Sequence, residues 1–156
     1  MADLPTIVAV EDNPGDILLL QEAFREAGVE MRMLVAENAV QAYNLMKAHI
    51  SPDLVLIDLN LPVIPGTAVL REVLSHEPWK RPPAVVLSSS QADRDRTAAL
   101  EIGADEYVVK PSHFDEYVGL AKRLATYLRR RTTGSSGPAK GRVRRLADSG
   151  LQPKLA

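Results

Sequence analysis

Leu54-Val55-Leu56-Ile57-Asp58-Leu59-Asn60-Leu61-Pro62 is the stretch that decides the fold. Four apolar residues in a row end in a carboxylate and a proline follows soon after, the pattern of a short strand buried on both faces with an acid at its carboxyl tip. A second run, Thr6-Ile7-Val8-Ala9-Val10, ends in Glu11-Asp12, and a third, Val108-Val109, ends in Lys110-Pro111. Strands apolar on both faces belong to parallel sheets covered on both sides, and such sheets bind ligands in the crevice outside their carboxyl ends. Three acids and one base are therefore expected in one crevice, which points to metal-assisted phosphate chemistry.

Working outward, the same alternation continues along the chain. Strands are predicted over 6–10, 31–35, 54–58, 84–88 and 106–109, and helices over 14–27, 39–50, 67–75, 91–102 and 113–131. Five βα units give an α/β fold, a doubly wound parallel sheet. Gly28 and Gly103 follow two of the helices, where a left-handed C-terminal cap is wanted. Asn38 and Ser112 are placed to cap two helix starts, and Pro14 suits a first helical turn, where a missing N–H costs nothing.

Composition narrows the function classes. The 156 residues suffice for one domain with a real core, and a net charge of -1 gives no global nucleic-acid footprint. There is no cysteine, which excludes disulfides, thiolate metal sites and cysteine nucleophiles and fits a cytoplasmic location. No apolar run has the length of a signal peptide or membrane span. After Arg131 the composition turns to Thr132-Thr133-Gly134-Ser135-Ser136-Gly137-Pro138, so the folded domain is expected over 1–131 and a flexible tail over 132–156. That tail is basic, with Lys140, Arg142, Arg144, Arg145 and Lys154 against Asp148, and too short for a helix-turn-helix DNA-binding domain.

Two carboxylates about 4 Å apart repel by about 4 kcal/mol at an effective dielectric of 20, so Glu11, Asp12 and Asp58 call for a counter-ion. Mg²⁺ is favoured, because it takes few protein oxygens and accepts phosphate oxygens as ligands. Transition metals would recruit histidine, and His49, His76 and His113 are scattered. Lys110 supplies a point charge for a phosphoryl oxygen, and Ser88 a hydroxyl for another. Asp58, as the lone acid, is the candidate acceptor of an acyl phosphate, while Glu11 and Asp12 share the metal.

Glu11-Asp12-Asn13-Pro14, Asp58-Leu59-Asn60-Leu61-Pro62 with Gly66, the Ser88 strand end, and Gly103-Ala104-Asp105 leading to Tyr107-Val108-Val109-Lys110-Pro111 together resemble the receiver domain of bacterial two-component response regulators. The resemblance spans about residues 6–131 and implies a flavodoxin-like five-stranded sheet of order 2-1-3-4-5. It implies Asp58 as phosphoacceptor, with Glu11, Asp12, Asp58 and the backbone carbonyl of Asn60 around Mg²⁺. It further implies Lys110, before a cis bond to Pro111, and Ser88 as phosphoryl-binding residues, and Ser88 with Tyr107 as a switch pair. Ser89 and Ser90 follow directly, so the register at Ser88 is open by one residue.

The run Glu11-Asp12-Asn13-Pro14-Gly15-Asp16 with Asp58-Leu59-Asn60-Leu61-Pro62 looks most like single-domain regulators paired with bacterial phytochrome histidine kinases, which implies a sensor kinase of that kind as partner and phytochrome signalling as context. Pro65 departs from the polar residue many receivers carry before the glycine.

The expected function is that of a stand-alone response regulator that accepts phosphate on Asp58, with at most slow loss of the phosphoryl group, and then changes its affinity for a partner. One alternative is a degenerate receiver serving as a binding scaffold, against which the intact Asp58, Lys110 and acid pair argue. The other is an aspartate-nucleophile phosphatase of the haloacid-dehalogenase type, which resembles this pattern but needs an acid where Asn60 stands. Asp16 is expected to stabilise the first helical turn, and Asp53 to lie at the opposite end of the sheet. On the last helix Phe114, Val118, Ala121, Ala125 and Leu128 are expected to face the core. A second flank, Tyr117, Leu120, Leu124 and Tyr127, is read either as a homodimer face or as part of a broad core stripe.

Overall fold

The structure is a computed structural model and describes residues 3–136. Its elements run β1 (Thr6–Val10), α1 (Pro14–Glu26), β2 (Arg32–Ala36), α2 (Ala39–Lys47), β3 (Leu54–Ile57) and α3 (Gly66–Ser75). A 3₁₀ turn (Glu77–Trp79) leads to β4 (Ala84–Ser88), α4 (Asp93–Ile102), β5 (Glu106–Val109) and α5 (Phe114–Ser136). The five strands form one parallel sheet of order β2-β1-β3-β4-β5, the doubly wound arrangement expected.

Burial along the strands follows their place in that order. β1, β3 and β4 are buried at every residue, whereas the edge strands β2 and β5 are not. Alternate residues face opposite sides: Val8, Val10, Val55, Ile57, Ala84 and Val86 join one core with Ala39, Ala42 and Met46 of α2, Val69, Leu70 and Val73 of α3, and Ala99 of α4. A right-handed crossover from β1 to β2 puts α1 over the other face, where Ile7, Ala9, Leu54, Leu56, Val85 and Leu87 are buried, and α5, which follows the last strand, adds no residue to the first core. Burying one such side chain contributes roughly 1.5–3 kcal/mol, so the central strands anchor the fold.

Helix ends obey local chemistry. Asn13 caps α1 by accepting from the Asp16 N–H at 3.1 Å, with Pro14 in the first turn, and Asn38 caps α2 by accepting from the Gln41 N–H at 2.9 Å. Gly28 and Gly103 take the positive φ values expected of C-terminal caps, 74° and 128°.

Several expectations are corrected. β2 is shifted by one residue, and α2 stops at Lys47 because Ala48 is extended. α4 starts at Asp93, after Ser90 Oγ has accepted from the Ala92 N–H and donated to Asp95. Ser112 lies one residue too early to cap α5; its own N–H donates instead to Glu116 Oε1 at 3.2 Å. No cis peptide bond occurs among the described residues, so Lys110–Pro111 is trans, the lower-energy isomer.

α5 continues to Ser136, so Thr132–Ser136, read as linker, is helical: propensity is a weak prior at such residues. By contacts the chain divides into a unit of residues 1–125 and a second unit starting at Thr126, of which the end of α5 is described. The predicted tail beyond Ser136 lies outside the described residues.

Of the two readings of the second flank on the last helix, burial favours the broad core stripe. Tyr117, Leu120 and Leu124 are 3%, 6% and 0% exposed, together with buried Ala121, Ala125 and Leu128, while Tyr127 is half-buried. A side chain already buried in its own protein offers no area to a second copy, so the broad apolar arc is core. Phe114, expected inside, is instead 39% exposed.

Candidate functional site

The parallel register brings the acids together. Val10 of β1 pairs with Ile57 of β3, so Glu11 and Asp58 leave adjacent strands side by side, and the Asp58 N–H donates to the Val10 carbonyl at 3.0 Å. One carboxylate oxygen each from Glu11, Asp12 and Asp58 lies within 4.8 Å of the others. Glu11 and Asp58 are buried and Asp12 is exposed. On the other side Ser88 pairs with Val109, and the Lys110 N–H donates to the Ser88 carbonyl at 2.8 Å, which aims the lysine across the strand tips.

Lys110 Nζ reaches three carboxylates, Asp16 Oδ2 at 2.6 Å, Glu11 Oε1 at 2.9 Å and Asp58 Oδ2 at 3.1 Å. The second oxygens of the two buried acids are held by backbone: Asp58 Oδ1 accepts from the Asn60 N–H at 3.0 Å and Glu11 Oε2 from the Asn13 N–H at 3.1 Å. Gly66 makes the close packing possible. A Cβ there would lie 2.1 Å from the Asp58 carbonyl oxygen, so only glycine lets α3 start against the strand end that carries Asp58.

The charges are not balanced inside the protein. Burial pushes the Glu11 carboxyl up to about 7; hydrogen bonding to Lys110 opposes this, and the Asp58 charge adds to it. Burial works to lower the Lys110 pKa, yet hydrogen bonds to Asp16 and Glu11 and the nearby charges of Glu11 and Asp58 raise it above the ordinary lysine value. The Tyr117 phenol is raised by burial first and then by the Asp16 charge.

An all-oxygen cluster of carboxylates, two buried and one open to solvent, fits a hard divalent cation that keeps several waters. Such an ion would lie at the bottom of a cleft of about 700 Å³ lined by the acids, Asn60 and Lys110.

The two residues expected to form a switch pair, Ser88 and Tyr107, fall in different places. Tyr107 is buried, its hydroxyl donates to the Ser90 carbonyl at 2.8 Å, and the Arg96 guanidinium lies 5.0 Å from its ring centroid. Ser88 is fully buried, and its Oγ accepts from the Ser90 N–H at 3.2 Å, a local turn that keeps it below the cleft. Ser89 lines the cleft and Ser88 does not, the one-residue difference that the run of three serines left open. Asp53 is at the far end of the sheet as expected, accepting from the Thr6 N–H at 2.8 Å.

Sequence reasoning missed Asp16 as a site residue. Its place one turn after Glu11-Asp12 was the available signal, but its partner Lys110 is 94 residues away. The cleft's outer wall, with Leu19, His113, Phe114 and Tyr117, was missed too, since it is assembled from the starts of two helices distant in sequence.

Residues 7–122 match the response regulator receiver domain. Among curated proteins, the chain is 35% identical over 153 residues to the transcriptional regulatory protein AruR of Pseudomonas aeruginosa, covering 95% of this chain and 60% of that protein. The chain spans about half to three-fifths of the length of the first such relatives, which are transcriptional regulatory proteins. Among solved structures it resembles the phosphorylated cyanobacterial phytochrome response regulator RcpA, with 30% identity, a TM-score of 0.73, and coverage of 80% of this chain and 94% of that one. It also resembles the Mn²⁺-bound form of response regulator Rcp1, at 25% identity and a TM-score of 0.68, covering 80% and 94%.

Proposed function

The chain belongs to the response regulator receiver domain family, and from that premise we propose that it accepts a phosphoryl group from a sensor histidine kinase on Asp58, in a Mg²⁺-dependent reaction, and changes its affinity for a partner as a result. The observation that carries this reading is Asp58 Oδ2, buried at a strand tip, 3.1 Å from the Lys110 ammonium and grouped with Glu11 and Asp12.

In the step itself a carboxylate oxygen of Asp58 attacks the phosphorus of a phosphohistidine as the P–N bond breaks. The electron pair of that bond leaves with the imidazole, which takes up a proton, and an acyl phosphate remains on Asp58. Glu11, Asp12 and Asp58 would hold the cation, with the Asn60 carbonyl beside them, and the ion would neutralise phosphoryl charge. Lys110 meets a phosphoryl oxygen with its ammonium, and the Asn60 N–H orients the carboxylate.

Ser88 Oγ accepts from the Ser90 N–H, which leaves its O–H to donate to the phosphoryl group, and a movement of Ser88 toward that group would be felt in the loop that Tyr107 holds through the Ser90 carbonyl. The residue two after Asp58 is an amide, Asn60, and cannot act as the general acid of an aspartate-nucleophile phosphatase. That amide speaks against such a phosphatase and favours a phosphate carrier and sensor with at most slow self-dephosphorylation. Similarity to RcpA supports a phytochrome-type histidine kinase as the phosphodonor. Among the described residues no helix is long and apolar enough to cross a membrane.

Incubation with acetyl phosphate and Mg²⁺, read by intact mass, tests the reading. One phosphoryl adduct is expected in the wild type and none in Asp58→Asn; a wild type without an adduct would overturn it.

A further inference from the structure

An ammonium has three N–H donors, and those of Lys110 face three different acids. Glu11 and Asp58 both belong to the cluster that can hold a cation, and Asp58 also becomes the acyl phosphate. Asp16 is outside that cluster. It comes from the first turn of α1, so neither cation binding by that cluster nor phosphorylation of Asp58 takes up its carboxylate. That grip is also the shortest of the three, 2.6 Å against 2.9 and 3.1 Å.

We propose that Asp16 is a positioning residue that tethers the Lys110 ammonium over Asp58, so that the lysine stays aimed at the phosphoryl group when Glu11 turns toward the cation. The inference rests on the phosphoacceptor reading above. Lysine is a point charge on a four-carbon stem and needs an anchor if it is to meet one oxygen. Glu11 is a poor anchor, since a ligated Glu11 must share its Oε1 and its Oε2 already accepts from the Asn13 N–H.

Asp16 is itself held in place. Its N–H donates to Asn13 Oδ1 at 3.1 Å and Pro14 starts its helix, so the carboxylate projects from a rigid turn. Of the influences that keep Lys110 charged against burial, the Asp16 hydrogen bond is the largest.

The test uses the full chain, wild type, Asp16→Asn and Asp16→Ala. Calorimetry measures the affinity for Mg²⁺ alone, and then for beryllofluoride, a mimic of the phosphoryl group, at saturating Mg²⁺. The asparagine cap of α1 uses the Asp16 backbone, so both variants keep it. The expected result is a split: beryllofluoride binding weaker by about tenfold, with Mg²⁺ affinity within about threefold of wild type.

If Asp16 were only a nearby negative charge, neutralising it would leave beryllofluoride binding equal or tighter, and that result overturns the proposal. A parallel fall in both affinities overturns it too, because it marks general damage to the site. Failure of the wild type to bind beryllofluoride would instead reject the phosphoacceptor reading itself.

Discussion

The two ends of the sheet use the same residue types to opposite effect. At the amino end each acid meets donors that suit it: Asp53 accepts from the Thr6 N–H, and Asp105 accepts from the Ala84 N–H and from Arg81, each at 2.8 Å. At the carboxyl end three carboxylates share one ammonium, and one of them, Glu11, has its pKa pushed up to about 7. Pairing at the amino end ties strands together. Excess negative charge at the carboxyl end makes a place for a cation, and the packing of the rest of the fold holds the acids together.

The sharpest way to break the contrast is to remove the packing that holds the carboxyl end. In Gly66→Ala the new Cβ lies 2.1 Å from the Asp58 carbonyl oxygen and 2.7 Å from Leu59 Cα, both backbone atoms that move only with the strand end. A loss of about 3 kcal/mol or more is expected in urea unfolding, together with loss of acetyl phosphate labelling. Near-wild-type stability with normal labelling would show that the strand tip tolerates displacement.

Next in size is a matched pair of substitutions, one at each end. Asp105→Ala leaves the Ala84 N–H without its carboxylate, and about 1–2 kcal/mol of stability should be lost while phosphorylation is kept. Its ion pair with Arg81 is half-exposed and adds little. Asp58→Asn does the reverse: it relieves crowding among the acids, so stability stays level or rises while phosphorylation is lost. If Asp58→Asn destabilises as much as Asp105→Ala, the two ends do not differ in kind.

How far the contrast is legible in sequence depends on the distance over which each feature is determined. The apolar runs ending in Glu11-Asp12, Asp58 and Lys110 declare strands, and parallel pairing then puts their tips together, so most of the fold and the acid cluster can be read from local pattern. Asp16 cannot be read that way, because its partner comes from the other end of the domain and a first-turn acid has a local explanation. The depth of Ser88 is hidden because three serines follow one another and only the turn at Ser90 decides which of them lines the cleft. The α5 arc left two readings open for another reason: periodicity shows that Tyr117, Leu120 and Leu124 are apolar, but only packing shows how wide a face is covered.

A smaller effect sharpens the comparison through pH. Glu11 holds its proton up to about 7 when folded, against about 4.5 for an ordinary glutamate. Between these values the folded state binds more protons than the unfolded one, so stability falls as pH rises from about 4.5 to 7 and levels off above. The expected result is a downward slope in Mg²⁺-free wild type that is reduced in Glu11→Gln, and a Mg²⁺ affinity that rises through pH 7. Equal slopes in the two proteins would place the charge imbalance elsewhere.

The smallest expected effect concerns backbone strain beside the site. Val63 is fully exposed with φ of 66°, and the Ile64 N–H donates to the Pro62 carbonyl at 2.7 Å, a tight γ-turn with a β-branched residue in the left-handed region. Nothing packs on the side chain, so the conformation is imposed by the loop that runs from Asp58 to Gly66. Asparagine tolerates this region better, and Val63→Asn should stabilise the protein by about 1 kcal/mol, read as a rise of roughly 2–8 °C in Tm. Lys80 and Arg81 also take positive φ, 58° and 52°, but at the amino end, and neither is β-branched. Lys80→Asn should therefore gain less than Val63→Asn; an equal or larger gain there would mean that strain is spread over both ends of the sheet and is not a property of the loop next to Asp58.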